Sequence, residues 1–541
     1  MSEAVADRGG SHAQDKARKQ PIGKASTLAV AQDEWKPSFN PWLIAAAVML
    51  ATFMEVLDTS VANVALPHIG GNLSASTNES TWVLTSYLVS NAIILPAAGW
   101  LSSFFGRKRF LLACIVIFTL SSALCGAASS LGMLVFARIL QGAGGGALQP
   151  IAQAVLLESF PKEKRGQAMA VFGMGIVVAP IIGPTMGGWI TDNYSWRWIF
   201  YINVPVGILA MLMANAFIED PPYIRSQKPG RIDYIGFGLM ALGLASLQLV
   251  LDKGQEEDWF ESSWIFWFTL FGLAAIIAFI IRELQTKEPI VNLRIFKNRN
   301  FAVGTALMAM MGAVLYGSIA LLPLFLQTLL GYPATQSGLA VSPRGFGSIV
   351  SMIIVGRLVG RLDSRYLIAF GFAVLGFATY MLSSINLDIS MSSVVWPNII
   401  SGLAMGFIFI PLTTTAMGML TNQEMGNASG LFNLMRNTGG SIGIAVVTTL
   451  LSRGAQVHQA AMVSHLTPYD PAFQQRVQQL SGPAASLQQA YGTIYGIVAR
   501  QAMVMSFLDN FRLLAGLSLL CIPAVFLFKK VRARRGAVAP H

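Results

Sequence analysis

The sequence predicts an all-α polytopic membrane protein that crosses the bilayer fourteen times. Apolar runs of about twenty residues recur along nearly the whole chain, and a helix of that length spans the hydrocarbon at a rise of 1.5 Å per residue. Hydrophobic residues make up 54% of the chain and charged residues only 12%. A soluble fold has no place for so many apolar helices, whereas lipid accepts them because a helix satisfies its own backbone hydrogen bonds.

Each predicted span is an apolar run that begins and ends at polar, charged, Gly-rich or Pro-rich sequence. The helices are predicted near 42–66, 81–101, 110–128, 132–158, 166–190, 197–218, 232–251, 262–283, 301–329, 335–360, 366–384, 393–419, 428–451 and 508–528.

The charges of the connections predict the orientation. Lys and Arg cluster in alternate connections, at 107–109, 162–165, 225–231, 287–299 and 361–365, and in the C-terminal tail. The other connections are short and almost free of Lys and Arg, and one carries the acidic patch Glu256, Glu257, Asp258 and Glu261. By the positive-inside rule both termini are cytoplasmic, which requires an even number of helices.

The same reading divides the chain into segments. The first 40 residues are polar and lack an apolar signal segment, so we expect a disordered cytoplasmic tail there. The Pro-rich, basic stretch around 219–231 separates the first six helices from the rest. The predicted segments are the tail 1–40, a six-helix bundle 41–220, a linker with two inserted helices 221–285, a second six-helix bundle 286–530 with an external loop 453–507, and a cytoplasmic tail 531–541.

The external loop 453–507 is long and Gln-rich. Its stretches 473–480 and 487–504 have the periodicity of amphipathic helices. Two interpretations stay open: a cap over the external mouth, or a docking surface for a periplasmic partner.

Charged residues inside the apolar runs are the sharpest functional signal, because each is costly in lipid and implies a partner or a cavity. Glu55 and Asp58 lie three residues apart on one face of the first helix. Arg138 in the fourth helix lies at a depth similar to that of Asp58, so we expect the two to interact. We interpret Glu55, Asp58 and Arg138 as proton-coupling residues. The alternatives are a permanent structural pair, or an Asp58 that holds the first helix by bonding to backbone.

The second half carries the cations Arg344 and Arg436 but no predicted carboxylate at comparable depth. They either face a central cavity, where they attract an anionic substrate group or pair with the acids of the first half, or they reach the helix ends. The predicted substrate cavity is lined by Arg344, Arg436, Gln141, Tyr316 and Met311.

Several stretches resemble one known family. Gly99 to Arg109 resembles the signature loop of the major facilitator superfamily, although Ser103 stands where that loop normally has an acid. The stretches 57–67, 138–144 and 175–188 resemble the first-, fourth- and fifth-helix motifs of the fourteen-helix drug:proton antiporters of the EmrB/QacA type, and the long loop is closer to EmrB. A weak repeat of the signature loop at 356–365 agrees with two related halves.

The resemblance implies a major facilitator fold with two six-helix bundles and two inserted helices. It further implies proton-coupled efflux of amphipathic compounds across the bacterial inner membrane by alternating access. The proton gradient replaces a cofactor, and the partners implied are lipids, a periplasmic adaptor and an outer-membrane channel. Residues with expected conformational roles, for which small side chains and prolines permit close and bent packing, are Gly99, Gly106, Arg107, Gly175, Pro180, Gly183, Pro184, Gly187 and Gly188.

Other classes of function find no support. The Gly-rich run 142–146 lies inside an apolar helix rather than after a strand, and the chain has no phosphate-binding loop motif. No catalytic or metal-binding cluster is visible in the sequence, and nothing indicates nucleic acid. The alternatives to multidrug efflux are a dedicated exporter of one metabolite, fatty acid or siderophore, and a membrane receptor that transports nothing.

Overall fold

The structure of the protein is a computed structural model, which describes residues 37–221, 224, 233–464, 466–481 and 486–529. Nearly all of the predicted N-terminal tail, the tail 531–541 and most of the linker around 219–231 lie outside the described residues. The predictions for those segments therefore stay predictions.

The first half of the chain forms helices that run back and forth. They are α1 (Pro41–Asn72), α2 (Thr77–Ser80), α3 (Trp82–Phe105), α4 (Arg107–Gly126), α5 (Leu131–Gly145), α6 (Leu148–Ser159), α7 (Arg165–Asn193), α8 (Trp198–Tyr201) and α9 (Asn203–Phe217), with a 3₁₀ turn at Lys162–Lys164.

The second half continues in the same way. It contains α10 (Tyr234–Lys253), α11 (Ser263–Gln285), α12 (Arg299–Thr328), α13 (Ala334–Val341), α14 (Pro343–Leu358), α15 (Ser364–Leu382), α16 (Met391–Met417), α17 (Met425–Val463), α18 (Pro471–Leu480) and α19 (Leu487–Val525), with 3₁₀ turns at Trp259–Glu261 and Leu293–Lys297.

Thirteen helical segments of the described chain are long and apolar enough to cross a membrane. The remaining predicted span, 428–451, lies in α17, which has 39 residues but is diluted by glycines and by polar residues such as Asn433 and Arg436. Helix α17 nevertheless packs against α3, α12 and α19, so it runs within the helix assembly.

Several predicted spans differ from the helices in the structure. The span 132–158 is broken between α5 and α6, and the span 335–360 is broken before Pro343, which has no N–H to donate. The Ser342 hydroxyl donates instead to the carbonyl of Leu339, at 3.0 Å. Periodicity did not reveal these breaks because both sides of each break are apolar.

The helices form two bundles with an inserted hairpin. In the first bundle α1 packs against α7 and α9, and α5 packs against α3 and α4. In the second bundle α12 packs against α17 and α16 against α14 and α15. Helix α10 of the α10–α11 hairpin contacts both α3 and α17, so the hairpin joins the two bundles.

The hairpin is closed at its base by an ion pair. Asp233 caps α10 by accepting from the backbone N–H of Gly236 at 2.9 Å, and Arg282 of α11 donates to it at 2.7 Å. The hydrogen bond from Arg282 is the main reason that the pKa of Asp233 lies below its usual range. The carboxylate therefore stays ionised at neutral pH and holds α10 and α11 together.

The bundles meet closely at the end of the molecule that carries Arg107, Arg165 and Arg361, which we name the basic end. Gly99 of α3 lies against the backbone of Gly426 and Asn427, where no side chain would fit. Helix α7 also packs along α14, and α6 packs along α17. The structure is thus closed between the bundles at the basic end.

The segment 453–507, predicted as an external loop, is largely helical. Helix α17 continues to Val463, α18 covers 471–480 and α19 begins at Leu487, which confirms the two predicted amphipathic helices. Their apolar faces bury a small cluster built on Val477, Ala490, Ile494 and Val498. The spans predicted at 428–451 and 508–528 are therefore parts of longer helices, because this cluster supports helix beyond the apolar runs.

Candidate functional site: a buried polar core linked across the two bundles

Asp58 and Arg138 form a buried ion pair in the first bundle. The distance between Arg138 Nη1 and Asp58 Oδ2 is 2.6 Å, and both side chains are fully buried. The contact expected from their equal depths is therefore present. A buried pair persists only when further hydrogen bonds satisfy both groups.

Those further hydrogen bonds come from α5 itself and from two other helices, α3 and α9. Gln141 and Asn203 donate to Asp58 Oδ1 at 2.9 and 2.7 Å. Arg138 donates through Nε to the carbonyl of Val83 at 3.0 Å and lies 4.3 Å from the centre of the Tyr87 ring. Asp58 thus accepts three donors, one of them a guanidinium.

Glu55 lies one turn earlier in α1 and has a different environment. Its Oε1 accepts from the Tyr87 hydroxyl at 3.1 Å and from the Asn91 amide at 3.3 Å. Its Oε2 accepts from the Gln149 amide at 2.6 Å. Glu55 is 4% exposed, and all three of these donors are neutral. A carboxylate that is buried without a cation in contact is the group that gains most from binding a proton.

Glycines at the α5–α6 break allow this arrangement. A side chain on Gly142 or Gly146 would collide with the backbone of α3 at Tyr87 and Asn91. A Cβ on Gly145 would lie 2.8 Å from the Tyr87 hydroxyl and 3.3 Å from Glu55 Cγ. The Gly-rich run 142–146 therefore brings α3 close enough for its polar side chains to reach Glu55.

Gln149 connects Glu55 to the second bundle. While its Nε2 donates to Glu55, its Oε1 accepts from Arg436 Nη2 of α17 at 2.6 Å. One amide side chain thus joins the acid of α1 to the cation of the other bundle. The pairing of Arg436 with the acids of the first half, one of the sequence interpretations, is indirect and runs through this amide.

A second polar contact lies one helical turn further along α6. Gln153 Oε1 accepts from Ser429 at 2.6 Å and from Asn433 at 2.7 Å, both on α17. Gln149 and Gln153 are four residues apart and lie on one face of α6. We name these contacts of Gln149 and Gln153 with Ser429, Asn433 and Arg436 the α6–α17 ladder. It would have to part if the bundles separated at the basic end.

Arg344 occupies a different place in the second bundle. It is 6% exposed, and its Nη2 donates to the Ser318 hydroxyl of α12 at 3.1 Å. Its Nε and Nη1 atoms have no hydrogen-bond partner among the described residues. The structure therefore holds Arg344 and Arg436 in separate environments rather than in one group.

Three predicted cavity residues have other surroundings than expected. Gln141 belongs to the Asp58–Arg138 cluster, because both ends of its amide are bonded there. Met311 is fully buried in the hydrophobic core. Tyr316 is half-buried and its ring lies over Gly440 of α17. Gln141 and Met311 are thus both fully buried in this structure, and their assignment to a substrate cavity stays a prediction.

The predicted motif of α7 packs against α1. A Cβ on Gly183 would lie 2.6 Å from Ser60 Cβ, and one on Gly187 would lie 2.8 Å from Val61 Cγ1. Gly175 similarly lies against the methyl group of Met49. Gly188, in contrast, has open space in place of a side chain. Close packing thus accounts for three of these four glycines and not for Gly188.

The two prolines of this motif explain one hydrogen bond between helices. In a regular helix the carbonyl of Pro180 would accept from the N–H of residue 184, but Pro184 has none. The hydroxyl of Ser60 in α1 donates to this carbonyl at 3.4 Å. Gly183 has no side chain and so leaves space for Ser60. Pro180, Gly183 and Pro184 of α7 therefore together form the contact with Ser60 of α1.

The signature loop is held by acids outside the motif. Arg107 pairs with Glu158 of α6, and both side chains are buried. Gly106 has a φ of +87°, a conformation that favours glycine. After it, Asp220 accepts from the backbone N–H of Lys108 at 2.7 Å. These two acids secure a loop that has Ser103 where the motif usually has an acid.

Sequence reasoning missed several of these residues. Five of them are uncharged polar residues inside apolar helices, where only charged residues were taken as candidates; the other two are acids, Glu158 at the end of a predicted span and Asp220 in a connection. The missed residues are Tyr87, Asn91, Gln149, Gln153, Glu158, Asn203 and Asp220. As for metals, the described part of the chain contains no group of His, Cys, Asp or Glu side chains placed to hold one.

Comparison with known proteins supports the resemblance seen in the motifs. The family model described as Major Facilitator Superfamily matches residues 48–444. The chain is 38% identical over 488 residues to the multidrug export protein EmrB of Escherichia coli (strain K12), a match that covers 90% of this chain and 95% of that protein. It is also 38% identical to the fatty acid resistance protein FarB of Neisseria gonorrhoeae, covering 89% of this chain and 94% of that protein.

A solved structure shows the same fold. The human organic anion transporter MFSD10 (TETRAN) matches with a TM-score of 0.60 at 12% identity, over 90% of this chain and 100% of that chain. At this identity the likeness concerns the fold alone. The family match spans most of the chain and the relatives are matched over nearly their full length; the chain therefore belongs to the major facilitator superfamily and, within it, to the EmrB-type export proteins.

Proposed function

We propose that the protein is a multidrug efflux transporter that exports amphipathic compounds in exchange for protons, with Glu55 as the group that binds and releases the proton. The observation that carries the proposal is the position of Glu55. Among the described residues its buried carboxylate accepts only from neutral donors, and one of these donors also accepts from Arg436 of the opposite bundle. The names of the EmrB relatives support export of drugs.

Asp58 has a supporting role in this proposal. Its ion pair with Arg138 is buried, and Gln141 and Asn203 donate to its second oxygen; breaking such a pair by removing one partner costs about 3–5 kcal/mol. In this proposal Asp58 fixes α1 against α5 and α9, while Glu55, one turn away, exchanges the proton. This favours the structural alternative for Asp58 and the proton-coupling interpretation for Glu55.

The Gln149 amide links proton binding to the contact between bundles. With ionised Glu55, the amide donates to the carboxylate through Nε2 and offers Oε1 to Arg436. A protonated Glu55 has an O–H to donate and competes for the same Oε1. Proton binding would thus weaken the bond to Arg436, loosen the α6–α17 ladder and let the basic end open.

Orientation and location belong to the same proposal. We propose that the basic end faces the cytoplasm, as the positive-inside rule predicts, and that the membrane is a bacterial inner membrane, which the EmrB relatives support. The helices α17, α18 and α19 then project on the periplasmic side, where we propose that an adaptor protein docks and leads to an outer-membrane channel.

The proposal is tested by proton release from the purified protein. Addition of a drug to wild-type protein in weakly buffered detergent solution should release protons that a pH indicator detects, and the Glu55→Gln variant should release none. The control is Glu79→Gln, because Glu79 is an exposed acid of the same bundle that accepts the Ser76 backbone N–H in a helix cap. Proton release by the Glu55→Gln variant at the wild-type level would contradict the proposal.

A second candidate is a dedicated exporter of fatty acids, which the similarity to FarB favours. A panel of cationic, neutral and acidic amphiphiles separates the two candidates. Export of acidic lipids alone would identify the dedicated exporter, whereas export of several classes would identify the multidrug transporter.

A further inference from the structure

Arg344 is a buried cation without a buried anion. Its guanidinium makes one hydrogen bond, from Nη2 to the Ser318 hydroxyl at 3.1 Å, while Nε and Nη1 remain unpartnered among the described residues. None of the ion pairs in the described part of the chain includes Arg344. The side chain is nevertheless buried and reaches Ser318 of α12, while the backbone of Arg344 lies against Gly402 of α16.

Arg138 in the first bundle is a buried arginine with which Arg344 can be compared. Arg138 is equally enclosed, yet it has a carboxylate, an amide oxygen and a backbone carbonyl as acceptors. A buried guanidinium loses its hydration and needs such acceptors in return. Because Arg344 lacks them, stabilisation of the fold does not explain its presence.

The backbone around Arg344 is fixed by close packing. Gly402 of α16 lies against the carbonyl of Arg344, and Gly347 of α14 lies against the backbone of Ile399. The Ser348 hydroxyl lies 3.0 Å from the Arg344 carbonyl and 3.1 Å from that of Gly402. The backbone that carries the Arg344 side chain is therefore fixed in position, as in a preorganised binding site.

The position of Arg344 is also close to the seam between the bundles. The next residue, Gly345, lies against Ile181 of α7 in the first bundle. A cation beside this seam becomes accessible when α7 and α14 move apart, which is the motion that alternating access requires.

We propose that Arg344, with Ser318, binds the carboxylate of acidic amphiphilic substrates. The unpartnered N–H groups of Nε and Nη1 match the acceptor oxygens of a carboxylate, and the apolar helices around them suit the hydrocarbon part. This inference rests on the proposed export function and names the substrate class that the second bundle recognises. It also assigns the two cations different roles, since Arg436 acts on Gln149.

The test compares dodecanoate with dodecanamide, its uncharged analogue, by titration calorimetry on the full chain in nanodiscs, with empty nanodiscs as the blank. Wild-type protein should bind dodecanoate on the order of tenfold more tightly, as expected for hydrogen bonds to a charged group. The Arg344→Gln variant should lose this preference, and Arg344→Lys should keep part of it. Arg361→Gln is the control, because Arg361 is exposed in the α14–α15 connection.

A stability measurement separates binding from a structural role. Without substrate, Arg344→Gln should unfold at the wild-type temperature or above it, since the change removes an unpaired buried charge. A marked fall in unfolding temperature, or a dodecanoate preference that persists in Arg344→Gln, would overturn the assignment. Neither result bears on the proposed role of Glu55, because the proton-release test uses a drug rather than dodecanoate. Failure of this assignment can therefore be told apart from failure of the proposed function.

Discussion

At the scale of single residues, the two acids of α1 differ in the charge of the groups that donate hydrogen bonds to them. Asp58 and Glu55 are one turn apart and equally hidden from solvent, but Asp58 faces Arg138 whereas Glu55 faces neutral donors. An adjacent cation favours the carboxylate, and burial without one favours the carboxylic acid. This difference in partners is the reason that we propose Glu55, rather than Asp58, as the acid that exchanges the proton.

We predict that Gln149→Leu uncouples transport from proton flow. Leucine fills the space but neither accepts from Arg436 nor donates to Glu55, so Glu55 still titrates while the second bundle no longer responds. In proteoliposomes the variant should export less drug per proton than wild-type protein, by about tenfold if one charge-assisted hydrogen bond carries the coupling. A wild-type ratio of drug to protons in Gln149→Leu would show that the amide is not the link.

The sequence predicted part of this site for a physical reason. Helix rise alone placed Asp58 and Arg138 at one depth, and charge in lipid demands a partner. It could not predict Gln149 as the link, because depth does not say which face of a helix meets which neighbour. For the same reason, depth alone could not show that Gln141 faces Asp58 and Arg138 rather than the cavity. Its amide donates to Asp58 and accepts from Arg138.

At the scale of helices, close contact between α1 and α7 depends on particular small residues. The missing N–H of Pro184 leaves the Pro180 carbonyl to Ser60, and Gly183 gives Ser60 its room. Hydropathy and proline positions predicted that α7 exists and is closely packed. They did not predict which of its glycines face α1. In the structure three glycines of the motif contact α1, whereas Gly188 does not.

We predict opposite effects for two alanine substitutions in α7. Gly183→Ala places a methyl group on Ser60 and should lower the free energy of unfolding by about 1–3 kcal/mol, the usual cost of overpacking. Gly188→Ala meets open space and should raise it by up to about 1 kcal/mol through helix propensity. Thermal unfolding in detergent measures both changes. Equal effects at the two positions would refute the packing account.

At the scale of the whole molecule, the two bundles are in direct contact at the basic end. Gly99 and Gly426 bring α3 and α17 into backbone contact, and the α6–α17 ladder lies beside them. The resemblance to the family predicted two bundles that rock against each other. Whether the bundles are open or closed at the basic end could not be predicted, because one sequence encodes every state of the transport cycle.

We predict that a covalent link across this seam stops transport. A Cβ on Gly426 would lie 3.7 Å from the Ser102 hydroxyl oxygen, so the pair Ser102→Cys and Gly426→Cys is close enough for a disulfide. Oxidation should abolish drug export in proteoliposomes, and a reducing agent should restore it. Each single variant serves as the control, and export that continues after complete cross-linking would show that the basic end need not open.

The length of α17 and α19 has a mechanical consequence. Each has 39 residues, and α17 continues 12 residues past the apolar run 428–451, about 18 Å at the rise of a helix. A rigid rod that extends from a tilting body magnifies the tilt at its tip. In the alternating-access cycle that we propose, rocking of the second bundle would therefore sweep these tips sideways, and a protein bound to them would be displaced in every cycle.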